Sequence, residues 1–113
     1  MRVTQSSMLN NELLKQAQQI GAILSRIRIA RGMKQSDLAL RAGMSRNTVY
    51  RMEMGDPGVA FGQLLRYIDV LAPGMTLQDV LNEKDPTLIA LAHREQTRRV
   101  RGLSAKELKE MDF

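Results

Sequence analysis

The sequence predicts an all-α protein, and three observations carry that prediction. Apolar residues recur at steps of three and four from Leu13 to Ile27 and again from Phe61 to Leu71, the period of a helix with one buried face. Clusters of Gly and Pro divide these stretches into short segments, and nothing between them alternates with the two-residue period of a strand. Aromatic residues are 4% of the chain and Trp is missing, so eight Met join Leu, Ile, Val and Ala in the core, a composition suited to helix packed on helix. With 113 residues, 43% hydrophobic and 26% charged, the chain has room for one folded domain plus an arm or tail.

Composition also narrows the chemistry. Cysteine is absent, which removes disulfides, thiolate catalysis and Cys-ligated zinc together and fits a reducing cytoplasm. No apolar run approaches the roughly 20 residues needed to cross a bilayer. The first residues, Met1-Arg2-Val3-Thr4-Gln5, are polar where a secretory signal is apolar, so a cytoplasmic protein with no membrane partner is expected. His93 is the single histidine and is expected at the surface, leaving no metal site and no histidine-based catalytic pair. Ser36, Ser45 and Ser104 read as caps or phosphate donors, since no motif places a base beside them, and no glycine-rich phosphate loop occurs. No enzyme activity and no cofactor are expected.

Met8 to Arg31 reads as one long amphipathic helix with Leu13, Leu14, Ala17, Ile20, Leu24 and Ile27 inward, a break near Gly21 being possible, and Gly32 ending it. Lys34 to Ala42 forms two turns closed by Gly43. Ser45 is a good N-cap for Arg46 to Met54, which the breaker Gly55-Asp56-Pro57-Gly58 ends. Val59 to Leu71 reads as a fourth helix with Phe61, Leu64, Leu65, Ile68 and Leu71 on one side. Thr76 caps a fifth, Leu77 to Asn82. Beyond Asp85-Pro86 the pattern weakens: Thr87 to Ala92 is apolar enough to dock, His93 to Arg101 is basic, and Ser104-Ala105-Lys106-Glu107 spells the capping box of a small terminal helix. Met33, Met44, Met52, Met54 and Met75 are expected to fill the core.

The net charge of +5 is unevenly spread: residues 26 to 55 hold seven basic and two acidic side chains, making this segment either a contact surface for a polyanion or a solvated helix face. Spacing favours the first. Two helices crossing sharply need a small residue at the contact, a residue tolerant of a left-handed turn, and apolar anchors for the second helix. Ala39, Gly43, and Met44, Val49 and Met52 stand in those places, with Leu38 and Ala42 completing the inner face. The pattern is that of a helix-turn-helix.

Gln35 to Gly55, with the helices on either side, resembles the XRE family of DNA-binding proteins, the fold of Cro and lambda-type phage repressors, over about residues 18 to 83. The resemblance implies a five-helix lambda-repressor-like DNA-binding domain with helical N- and C-terminal extensions: an extension at 1–17, the domain at 18–83, and a basic arm with a short terminal helix at 84–113. It implies that Arg46 to Met54 enters the major groove, with Arg46, Asn47 and Arg51 as base readers and Tyr50 at the edge of the contact. Arg can donate two bonds to guanine and Asn can pair at two points with adenine. Gln35 at the start of its helix would meet a phosphate, with Lys34, Ser45 and Thr48 as secondary phosphate contacts. Arg28 and Glu53 occupy the places of a structural ion pair in this family. The expected function is a sequence-specific transcription regulator, a homodimeric repressor of its own operon on palindromic double-stranded DNA.

Two departures accompany the resemblance. Asp56 follows the reading helix where an acid facing phosphate is unhelpful, so it is expected to cap or turn the chain; and both ends carry extra chain. The stretch Met54-Gly55-Asp56-Pro57-Gly58-Val59, with Gly74-Met75-Thr76-Leu77-Gln78-Asp79, also resembles antitoxins of the HipB type, which implies a HipA-type kinase toxin as partner. An adaptor that mainly neutralises a toxin or recruits a partner is the alternative. Arg98-Arg99-Val100-Arg101 is open to three readings: a second phosphate contact, a partner-binding arm, or a solvated face.

Overall fold

The computed structural model describes residues 4–83 and 85–111, with side chains as far as residue 99 apart from residue 88. Seven helices are described: α1 (Gln5–Met8), α2 (Asn11–Ala30), α3 (Gln35–Ala42), α4 (Arg46–Glu53), α5 (Phe61–Leu71), α6 (Leu77–Leu81) and α7 (Pro86–Met111). The fold is all-α: α2 to α6 form the five-helix body, and α1 and α7 extend it.

The expected first helix is two. Leu9 is extended, and Asn10 starts α2 afresh, its side-chain oxygen accepting from the Leu13 amide at 2.9 Å. Gly21 does not break α2, which runs uninterrupted to Ala30. It is a contact point instead: a Cβ there would lie 2.6 Å from the Glu53 carbonyl oxygen, so the end of α4 sits directly on the bare backbone of α2.

The core is built from Leu24 and Ile27 of α2, Leu38, Ala39 and Ala42 of α3, Val49 and Met52 of α4, and Tyr67, Ile68 and Leu71 of α5, closed by Val80 of α6. α5 begins at Phe61, two residues later than expected, after the Ala60 amide has bonded to the Gln63 side chain at 3.1 Å. Its buried face is also rotated from the expected one. Tyr67 is fully buried while Phe61 and Leu65 stand exposed, because α5 meets α2 and α3 through the 64, 67, 68, 71 stripe. Of the methionines expected in the core, Met52 is buried and Met33, Met44 and Met75 pack partly against it, but Met54 is exposed.

From Pro86 to Met111 the carboxyl-terminal arm is one continuous helix, so among the described residues no separate terminal helix starts near Ser104. Asp85 and Pro86 start α7, an order in which proline's missing N–H falls where helices have no partner for it. Asp85 is fully buried and accepts from Arg31 at 2.6 Å, and an exposed Arg26–Glu95 pair at 3.1 Å joins the same two helices further along. At 1.5 Å per residue the 26 residues of α7 span about 39 Å.

Candidate nucleic-acid interface

The turn between α3 and α4 is made by local chemistry. Gly43 adopts a left-handed conformation at φ 68° and donates to the carbonyls of Ala39 and Leu40, and Met44 donates to Ala39 at 3.0 Å. The last carbonyls of α3 are thereby satisfied as the chain reverses. Ser45 then starts α4, its hydroxyl accepting from the Thr48 amide at 3.1 Å and bonding the Thr48 hydroxyl at 2.9 Å. Both hydroxyls named as phosphate contacts therefore hold each other at the mouth of α4, with one hydroxyl hydrogen left to donate outward.

α4 divides sharply into two faces. Val49, Met52 and Glu53 are buried, and the opposite arc carries Arg46, Asn47, Tyr50 and Arg51. Arg46, Asn47 and Tyr50 are exposed, and none hydrogen-bonds through its side chain to another described residue. Arg51 differs: it is half-exposed, and its Nε donates to Asp56 at 2.7 Å. Beside this face, Arg28, Lys34, Gln35, Ser36 and Arg46 line an open cleft of about 640 Å³. The amino terminus of α3 opens into it, and the unpaired N–H groups of a first helical turn favour an anion there.

What holds the two faces apart is a buried network centred on Glu53, whose side chain is 4% exposed. Arg28 grips the carboxylate with two parallel bonds, Nε to Oε2 at 2.7 Å and Nη2 to Oε1 at 2.9 Å, and turns its Nη1 to the Met33 carbonyl at 2.8 Å. Tyr67 donates to Oε2 at 2.7 Å and Gln35 to Oε1 at 3.1 Å. Four donors thus bind α2, α3, α4 and α5 to one carboxylate. Burial by itself disfavours the ionised carboxylate, but the bonds from Arg28, Tyr67 and Gln35 outweigh it and hold Glu53 below its ordinary range. The same bond pushes the Arg28 guanidinium up, and burial followed by the bond to Glu53 pushes the Tyr67 phenol far up, so it stays a donor.

The network also holds Gln35: its side-chain amide donates to Glu53 while the residue lines the cleft at the start of α3. Arg28 and Glu53 neutralise each other, leaving Lys34 and Arg46 as the cations of the cleft that form no ion pair among the described residues. One member, Tyr67, was missed in the sequence. It falls one turn after Leu64 and one before Leu71, the inward stripe of α5, which is the signal that marks it. Outside the network, Asp56, expected to cap or turn the chain, also bonds Arg51.

A family model described as a helix-turn-helix domain matches residues 19–79, more than half of the chain. The protein belongs to the helix-turn-helix domain family. Curated proteins and solved structures yielded no match. The matched span of this DNA-binding helix-turn-helix domain runs from α2 into α6 and contains the Glu53 network, the cleft and the open face of α4. α1 and α7 lie outside it, and among the described residues no helix is long and apolar enough to cross a membrane.

Proposed function

We propose that this helix-turn-helix protein is a sequence-specific transcription regulator of the XRE type, a cytoplasmic homodimeric repressor that lays α4 in the major groove of its own operator. One observation carries the reading: Arg46, Asn47 and Tyr50 stand exposed and uncommitted beside a cationic cleft at the start of α3, on a helix whose other face is buried. Arg46 and Asn47 supply two-point donors and acceptors for base edges. Lys34, the α3 amino terminus, Ser45 and Thr48 supply the phosphate contacts that set register. A single α4 covers few base pairs, so two copies on half-sites about 34 Å apart are required for useful selectivity. Phe61 and Leu65, exposed on α5 away from the core, support pairing of two copies.

A second reading, an antitoxin or adaptor that neutralises a HipA-type kinase or recruits another partner, is favoured by α7. Arg94, Arg98 and Arg99 are exposed on this projecting helix and form no ion pair with a described residue.

Gel-shift titration against the protein's own upstream DNA tests the main reading. Tight binding that weakens steeply with salt is expected, with about 1–3 kcal/mol of discrimination lost in Arg46→Ala and in Asn47→Ala at unchanged melting temperature. Wild-type selectivity in both variants would mean that α4 is not the reading surface.

A further inference from the structure

Arg51 shares the open face of α4 with Asn47, one turn earlier, yet it is the one side chain of that face already engaged within the protein. Its Nε donates to Oδ2 of Asp56 at 2.7 Å, the other carboxylate oxygen accepts the Gly58 amide at 2.8 Å, and the Asp56 amide donates to the Arg51 carbonyl at 2.9 Å. The carboxylate is therefore fixed at both oxygens and at its backbone. The loop that bears it is fixed too. Gly55 turns it at φ 82°, and a Cβ at Gly55 would lie 2.4 Å from the Cα of Gln18, so the loop lies flush on α2.

We propose that Asp56 is a positioning residue for base recognition: it clamps Arg51 by Nε so that the two Nη groups are presented, already oriented, to a guanine at one end of each half-site. This rests on α4 being the reading helix. An arginine has five N–H donors, and the clamp uses one; a two-point contact with guanine O6 and N7 needs two more, both from the Nη groups. Gly58 closes the loop tightly on the clamp: a Cβ there would stand 3.1 Å from the Asp56 carboxylate, closer than ordinary contact, and 3.4 Å from Nη2 of Arg51.

The charge balance separates this role from simple attraction to DNA. Paired with Asp56, Arg51 adds no net charge, so it contributes little to the salt-dependent affinity shared by all sequences. Its contribution falls on discrimination. Releasing it from Asp56 gives the opposite: a mobile cation able to reach a phosphate, with its orientation lost.

The test uses the full chain, with selection from a randomised duplex library followed by competition between the selected operator, its single-base variants and an unrelated duplex. Asp56→Ala is expected to relax the preference at the same base pair of each half-site that Arg51→Ala relaxes, by about 5- to 50-fold. It should also tighten binding to the unrelated duplex and steepen the salt dependence by up to about one phosphate equivalent. In an Arg51→Ala background, Asp56→Ala should change that preference no further. Asp56→Asn, which keeps an acceptor for the Gly58 amide, gives the same readout at smaller disturbance if Asp56→Ala melts early. An unchanged preference in both Asp56 variants, a uniform loss of affinity for every sequence, or relaxation at positions that Arg51→Ala leaves alone overturns the positioning role while the reading helix stands. A wild type that selects no sequence overturns both.

Discussion

Replacing Glu53 by Gln tests the physical basis of the fold most directly. The change keeps the shape and removes one charge, but Arg28, which can only donate, cannot adapt, whereas the Gln35 amide can turn and the Tyr67 hydroxyl can accept. Oε1 accepts from Arg28 and Gln35, and Oε2 from Arg28 and Tyr67, so whichever oxygen becomes an NH2 group faces an Arg28 donor and loses that bond. The Arg28 guanidinium, its side chain 12% exposed, is left without its counter-charge. Breaking one partner of a buried pair typically destabilises by about 3–5 kcal/mol. The lost bond to a charged group, at about 1.5–3 kcal/mol, makes up a large part of that cost. Against a total stability of about 5–15 kcal/mol this is a large share, and for a domain of this size it lowers the melting temperature by about 10–20 °C.

Thermal melts followed by circular dichroism across pH provide the assay. Because the folded state holds Glu53 below its ordinary value of 4.5, the stabilisation is present above that value and is lost as pH falls from there towards the depressed one. The wild type should therefore lose stability below about pH 4.5, whereas Glu53→Gln should start lower and show a shallower acid decline. Asp56, held low first by its bond from Arg51 and then by the Gly58 amide, is partly exposed and adds a small decline common to both proteins. A Glu53→Gln protein melting within about 1 kcal/mol of wild type at pH 7 would refute the assignment of stability to this carboxylate.

Gly21→Ala should destabilise by at least about 1–3 kcal/mol, because the added methyl meets backbone of α4 rather than a movable side chain; denaturant unfolding with an unchanged midpoint would contradict the close approach. Tyr67→Phe should cost about 1–2 kcal/mol in the same measurement, less than Glu53→Gln, since Oε2 keeps its bond from Arg28, and a loss equal to that of Glu53→Gln would mean that the phenol carries the network.

Local signals alone were enough for the all-α class, the left-handed turn at Gly43, the cap at Ser45 and the clustering of positive charge over residues 26 to 55. Each depends on residues three or four positions apart or on one residue's own backbone preference, and such signals are complete within the stretch that carries them. The face of α5 was only partly determined this way. Its apolar residues cover too wide an arc, and contact with α2 and α3 chose Tyr67 for the interior and left Phe61 and Leu65 outside. The capping signature at Ser104 was outvoted likewise, since a cap acts only where the preceding chain leaves the helix, and α7 does not.

The Arg28–Glu53 pair was expected from the family resemblance and not from any period of the chain; which other polar groups meet, tertiary structure alone decided. Arg28 and Glu53 are 25 residues apart, Glu53 and Tyr67 are 14 apart, and Arg31 and Asp85 are 54 apart, so no helical period relates them. Gly21 became a contact rather than a break for the same reason: the residue it makes room for belongs to another helix. Chain geometry within a helix is set by its neighbours in sequence, but a buried charge is stabilised by whatever the folded chain brings to within about 3 Å of it, and only the packing of α2 to α5 brings four donors to one carboxylate.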